Sequence, residues 1–122
     1  MDSRIGYVNV GVSELERSLA FYRDVLGFEL LYHAPEFHYA AFQVGDLRFA
    51  IAASEVDAFT GGRPGHRHTG IGLLVADVDA AHKELTAKGV EFTMPPAKQA
   101  WGGYMGIFSD PDGNLFYLDQ TA

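Results

Sequence analysis

The chain of 122 residues contains no cysteine, which excludes disulfide staples, thiolate metal sites and cysteine nucleophiles together. Basic residues are scarce: nine Lys and Arg stand against sixteen Asp and Glu, for a formal charge of −7. A binder of phosphate backbones needs a basic patch to release counterions, so nucleic acid is not an expected partner. No apolar run approaches the roughly 18–20 residues that span a bilayer, so no membrane partner is expected either. Met1-Asp2-Ser3-Arg4 leads straight into folded-looking sequence, and no signal peptide is expected there. What is present, 48% hydrophobic and 20% charged residues, has the balance of one small acidic globular domain, expected in the cytoplasm.

Residues 5–12 alternate, with Val8, Val10 and Val12 on one side and Tyr7, Asn9 and Gly11 on the other. A period of two predicts a strand with one buried face. Ser13-Glu14-Leu15-Glu16 then reads as a capping box, and Leu15, Leu19, Tyr22 and Leu26 form the stripe of a helix stopped by Gly27. Phe28–His33, His38–Val44 and Leu47–Ala53 read as strands, with Gly45-Asp46 as a tight turn. The pattern breaks at about 55–67, rich in Gly and read as a linker, and then returns. Ile71, Leu73 and Val75 repeat the first strand, Asp77 caps a helix carrying Val78, Ala81 and Leu85, and Gly89 stops it. Val90–Met94, Tyr104–Ser109 and Leu115–Asp119 supply the remaining strands, with 110–114 as a turn. Val8, Val10 and Val12 map onto Ile71, Leu73 and Val75 at a constant offset, and Gly27-Phe28-Glu29-Leu30 maps onto Gly89-Val90-Glu91-Phe92 within one residue. The chain is an internal duplication of β-α-β-β-β modules, one at about 3–54 and one at about 68–120.

Two segments carry a resemblance over nearly the whole chain: Phe21-Tyr22-x-x-Val25-Leu26-Gly27-Phe28 and Asp110-Pro111-Asp112-Gly113-Asn114. With the duplication, they resemble the glyoxalase, bleomycin-resistance and extradiol-dioxygenase superfamily, the vicinal oxygen chelate proteins. The resemblance implies an α+β fold of two tandem βαβββ modules forming concave mixed sheets within a single domain over 1–122, commonly in a homodimer. It also implies a divalent metal held by His and Glu, which must present deprotonated donors around an open position. Carried over position by position, the ligand places fall on Tyr7, on the donor-free window 49–52, on Gly70 and on Tyr117. None is a His, Asp or Glu, so no cofactor is expected. The fallback is one divalent metal on His66 and His68, two apart on an extended segment. His33 and His38 read as surface or rim residues and His82 as solvated.

Without a metal, the cup would be lined by Tyr7, Asn9, Phe49 or Ala50, Gly70, Gly72, Leu74, Leu115 and Tyr117. Apolar walls with a few aimed polar groups describe a small-molecule pocket. Trp101-Gly102-Gly103-Tyr104 resembles the Trp-Gly segment bordering the ligand crevice of bleomycin-resistance proteins, and His38 would face it. No catalytic residue is singled out: neither Ser13 nor Ser109 has a His near it in sequence. The expected function is sequestration of a small aromatic or cationic compound, as in antibiotic resistance, by a homodimer. The alternative is a diverged glyoxalase-like lyase or dioxygenase that uses a metal or acts through Tyr7 and Tyr117.

Overall fold

The computed structural model describes residues 1–53 and 66–121. The chain divides into two compact units, Met1–Pro64 and Gly65–Ala122. The predicted linker falls largely outside the described residues, except that Arg67 already belongs to a strand.

In the first unit, β1 (Tyr7–Val12) leads into α1 (Leu15–Ala20), which continues as a π-helical turn over Phe21–Val25. β2 (Glu29–Ala34), a 3₁₀ turn (Pro35–Phe37), β3 (Tyr39–Val44) and β4 (Leu47–Ala53) follow. The strands form one four-stranded sheet in the order β1-β4-β3-β2, with β1 and β4 parallel. The second unit repeats the plan: β5 (Arg67–Val75), α2 (Val78–Ala87), β6 (Glu91–Lys98), β7 (Tyr104–Ser109) and β8 (Asn114–Gln120), in the order β5-β8-β7-β6. The same strand permutation in both halves is the structural counterpart of the sequence repeat.

Each helix covers one face of its own sheet. In the first unit Val10, Val12, Leu15, Leu19, Phe42 and Ile51 are buried around Tyr22, which has no exposed surface. The Tyr22 ring lies 5.1 Å from Phe49 and 6.1 Å from Phe42, within the range of aromatic pairing. In the second unit Val78, Leu85, Val90 and Leu118 are buried with Phe108 and Phe116, whose rings stack at 5.4 Å. Phe42 opposite Phe49 and Phe108 opposite Phe116 are equivalent cross-strand pairs.

Four local readings need correction. The cap of α1 is Glu14 without a side-chain cap bond, and Ser13 Oγ instead accepts from Arg17 Nη2 at 3.0 Å. The helix does not stay α-helical to Gly27: Leu26 N–H reaches back to Phe21 O at 3.0 Å, the wider spacing of a π-turn. Val12 and Val75 are 63 positions apart but Gly27 and Gly89 only 62, so this turn holds the extra residue of the first copy. β6 runs on through Pro95 and Pro96, tolerated because it is an edge strand with register shifts at Met94. His82 is not simply solvated, since its ring meets the Phe92 ring edge-on at 4.5 Å.

Candidate functional site

The face of each sheet turned away from its helix carries the candidate site, with Ala41, Ala50, Met105 and Leu115 buried on it and larger side chains around them. In the first unit the two-residue turn between β3 and β4 pairs Val44 with Leu47, which fixes every other partner. Tyr7, Arg48, Gln43 and Glu29 then form one row across the open face. Asn9, Ala50, Ala41 and Tyr32 form the next, and Gly11, Ala52, Tyr39 and Ala34 the third. The small residues sit mid-sheet, and the aromatic and polar ones surround them.

These side chains interact. The Tyr32 and Tyr39 rings lie 5.9 Å apart, and Tyr39 O–H donates a long hydrogen bond of 3.4 Å to Asn9 Oδ1. The Arg48 guanidinium carbon stands 4.8 Å from the centre of the Tyr7 ring, a cation–π contact. Burial raises the Tyr39 phenol above its ordinary value, against the lowering effect of Arg48, so at neutral pH it remains a hydrogen-bond donor. Tyr7 and Tyr32 are 54% and 44% exposed, large apolar surface left facing outward.

In the second unit the open face carries His68, Gly72 and Leu74 on β5, Leu115, Tyr117 and Asp119 on β8, and Met105 and Ile107 on β7. His68 stacks on Tyr117 at 5.9 Å. Gly70 lies in a register shift between His68 and Gly72, at φ +75°, a conformation open to glycine at no steric cost. The bulge is closed by Thr69, whose hydroxyl donates to Leu115 O at 2.7 Å and accepts from Ile71 N–H at 3.1 Å. The β6–β7 connection presents Trp101, 73% exposed, with Gly102 N–H bonded to Gln99 O at 2.9 Å.

The sequence-predicted residues therefore divide. Tyr7 and Asn9 lie together on one open face, Gly70 and Tyr117 on the other, and Trp101 and Gly102 on an exposed loop. Phe49 does not line the face away from the helix: its ring packs on Tyr22 in the helix-side cluster, and its neighbour Ala50, itself buried, stands on the opposite face beside Asn9. Tyr104 points to the helix side, where its hydroxyl donates to Asp79 Oδ1 on α2 at 2.5 Å. His38 is not in a strand but follows the 3₁₀ turn at φ 54°, its carbonyl accepting from Ala53 N–H. Tyr32 and Arg48 were missed: the register implied by Gly45-Asp46 would have found Arg48, whereas Tyr32 follows a register shift between β2 and β3.

A family model of the glyoxalase/bleomycin resistance protein/dioxygenase superfamily matches residues 4–118. The chain belongs to that superfamily. A solved superfamily member from Sphaerobacter thermophilus is 33% identical, with a TM-score of 0.79 over 98% of both chains. The uncharacterized protein YraH of Bacillus subtilis is 29% identical over 115 residues, 88% of this chain and 90% of its own. The lactoylglutathione lyase of Agrobacterium tumefaciens shares the fold at 23% identity and a TM-score of 0.76, over 98% of this chain and 95% of that one. Set against the divalent metal that the superfamily name implies, the donors of this member do not fit. The places to which the resemblance assigns ligands hold Tyr7, the donor-free window 49–52, Gly70 and Tyr117, and among the described residues no group of three or more His, Asp or Glu could hold an ion. Of the fallback pair, His66 Nε2 lies 3.3 Å from Glu91 Oε1 and the His68 ring stacks on Tyr117.

Proposed function

We propose that the protein is a small-molecule-binding member of its superfamily that works without a metal, sequestering a small aromatic compound in the cytoplasm as a homodimer. The observation that carries this reading is the open face of the first unit, where Tyr7, Tyr32 and Tyr39 surround Ala41 and Ala50 with Asn9 and Arg48 among them. Rings offer stacking area, and a few fixed polar groups orient what stacks, the ordinary make-up of a ligand site. The exposed Trp101 indole, in the second unit, is a separate place where an aromatic compound could stack. An aromatic ligand is supported by these side chains, while a cationic one rests on the charge of −7 alone.

The test is calorimetric titration of the dialysed protein with planar aromatic compounds, with and without chelator, beside elemental analysis. Saturable binding of at least one compound at micromolar concentration, unchanged by chelator, is the expected result. Close to one divalent metal per chain, with binding lost on chelation, would overturn it, as would turnover of the bound compound. β1 and β2 lie at the edges of the first sheet, and open edges favour pairing of copies. Light scattering should therefore give twice the chain mass of 13.3 kDa. A single-chain mass at all concentrations refutes the dimer.

A further inference from the structure

Arg48 differs from the two arginines of the first helical segment. Arg17 pairs with Glu14 at 3.4 Å and Arg23 with Asp24 at 2.8 Å. Arg48 has no carboxylate within ion-pair distance among the described residues, and its Nε–H is buried without a hydrogen-bond acceptor. A buried donor with no acceptor is unfavourable, and on a charged fork it is more so. The carboxylate nearest in the grid, Glu29, is separated from Arg48 by Gln43, and that glutamine side chain is turned to Gly45 O at 2.7 Å. Among the described residues the guanidinium is held by its face, over the Tyr7 ring at 4.8 Å. Its edge, which carries the N–H donors, has no charged partner.

Given that this face takes a small aromatic molecule, as proposed above, we infer that the ligand is an aromatic acid. Its ring lies against the tyrosines and its carboxylate is received by the Arg48 fork. A carboxylate matches the planar donor set of guanidinium, and such a bond is short and charge-assisted. On the next row stands the Asn9 side-chain amide, a further polar group near the fork, and Tyr39, two rows from Arg48, donates its hydroxyl to that amide's oxygen. This reverses the sign expected from the charge of the whole chain. The reason is range: at physiological salt, fields from exposed charges fade over about 8 Å, whereas a contact with Arg48 is not screened in that way.

A matched series decides it: naphthoate, naphthylmethanol and naphthylmethylammonium, titrated into the whole protein by calorimetry. Naphthoate should bind roughly tenfold or more tighter than the alcohol, the increment of one charge-assisted bond, and the ammonium weakest. Arg48→Met should bring naphthoate down to the affinity of the alcohol measured on the same variant, and Arg48→Lys should keep part of the advantage. Ring resonances of Tyr7, Tyr32 and Tyr39 should shift on addition of naphthoate. If the ammonium binds as well as naphthoate, or Arg48→Met leaves naphthoate affinity intact, the aromatic site stands and the acid is wrong. If none of the three compounds binds, both readings fall. Should Arg48→Met not fold, the wild-type series and Arg48→Lys still decide the matter.

Discussion

Replacing Asp110 by Ala should destabilise the second unit severely, although the residue lies in a turn. Asp110 is 4% exposed, and its Oδ1 accepts from Asp112 N–H at 2.9 Å and from Asn114 N–H at 2.8 Å. Its Oδ2 accepts from Asn114 Nδ2 at 2.8 Å, and Asn114 Oδ1 in turn accepts from Arg67 at 3.1 Å. One carboxylate thus closes the β7–β8 hairpin and, through Asn114, anchors the start of β5. Alanine leaves the two Asn114 donors buried without these acceptors, each costing about 1–3 kcal/mol, so roughly 3 kcal/mol in total is expected after partial relaxation. For a chain of this size that lowers Tm by roughly 10–15 °C. Asp110→Asn keeps an oxygen for the two backbone donors but sets amide against amide at Asn114, so about half that loss is expected. Thermal unfolding followed by circular dichroism, with urea titration beside it, measures both. An Asp110→Ala variant melting within about 3 °C of wild type would show that the turn does not depend on this network.

Two further outcomes follow from side chains placed above. The hydrogen bond to Asp79 raises the Tyr104 phenol above its ordinary value of 10.0, so the folded state favours the protonated form. The stability that wild type holds over Tyr104→Phe is then fully present below pH 10.0 and is lost as pH rises through the higher folded value; paired denaturant curves across that window test it, and a constant difference would refute it. Trp101 is 73% exposed, so Trp101→Leu should change Tm by less than about 2 °C. A collapse of Tm on that substitution would place the indole in the core.

The duplication, the order of elements and the bounds of β4 and β7 were legible because alternation and glycine stops are local signals. The open-face site was legible only in part. Tyr7 and Asn9 could be placed by alternation within one strand, but Tyr32 and Arg48 are reached only through pairing across strands. Phe49 was ambiguous because β4 is apolar from Phe49 to Ala53, and a run with apolar residues on both faces hides its phase. Tyr104 misled for another reason: a tyrosine beside a glycine loop does not reveal that Asp79, 25 residues earlier, holds its hydroxyl.

The π-turn at Phe21–Val25 has a consequence for comparing the two copies with each other. Length differences between duplicated segments ordinarily collect in loops, where the backbone is free to bulge. Here both flanks are pinned, by Leu19 and Tyr22 on one side and by Phe28 against the Tyr22 ring on the other. The surplus residue is therefore absorbed within the helix, and the gap in a self-alignment of this chain falls inside a regular element. Tyr22 corresponds to Leu85, but Phe28 corresponds to Val90, one position short of the same shift. A residue role transferred from one half to the other must change its offset at this turn, or every position after Tyr22 through the start of β2 is matched to the wrong face.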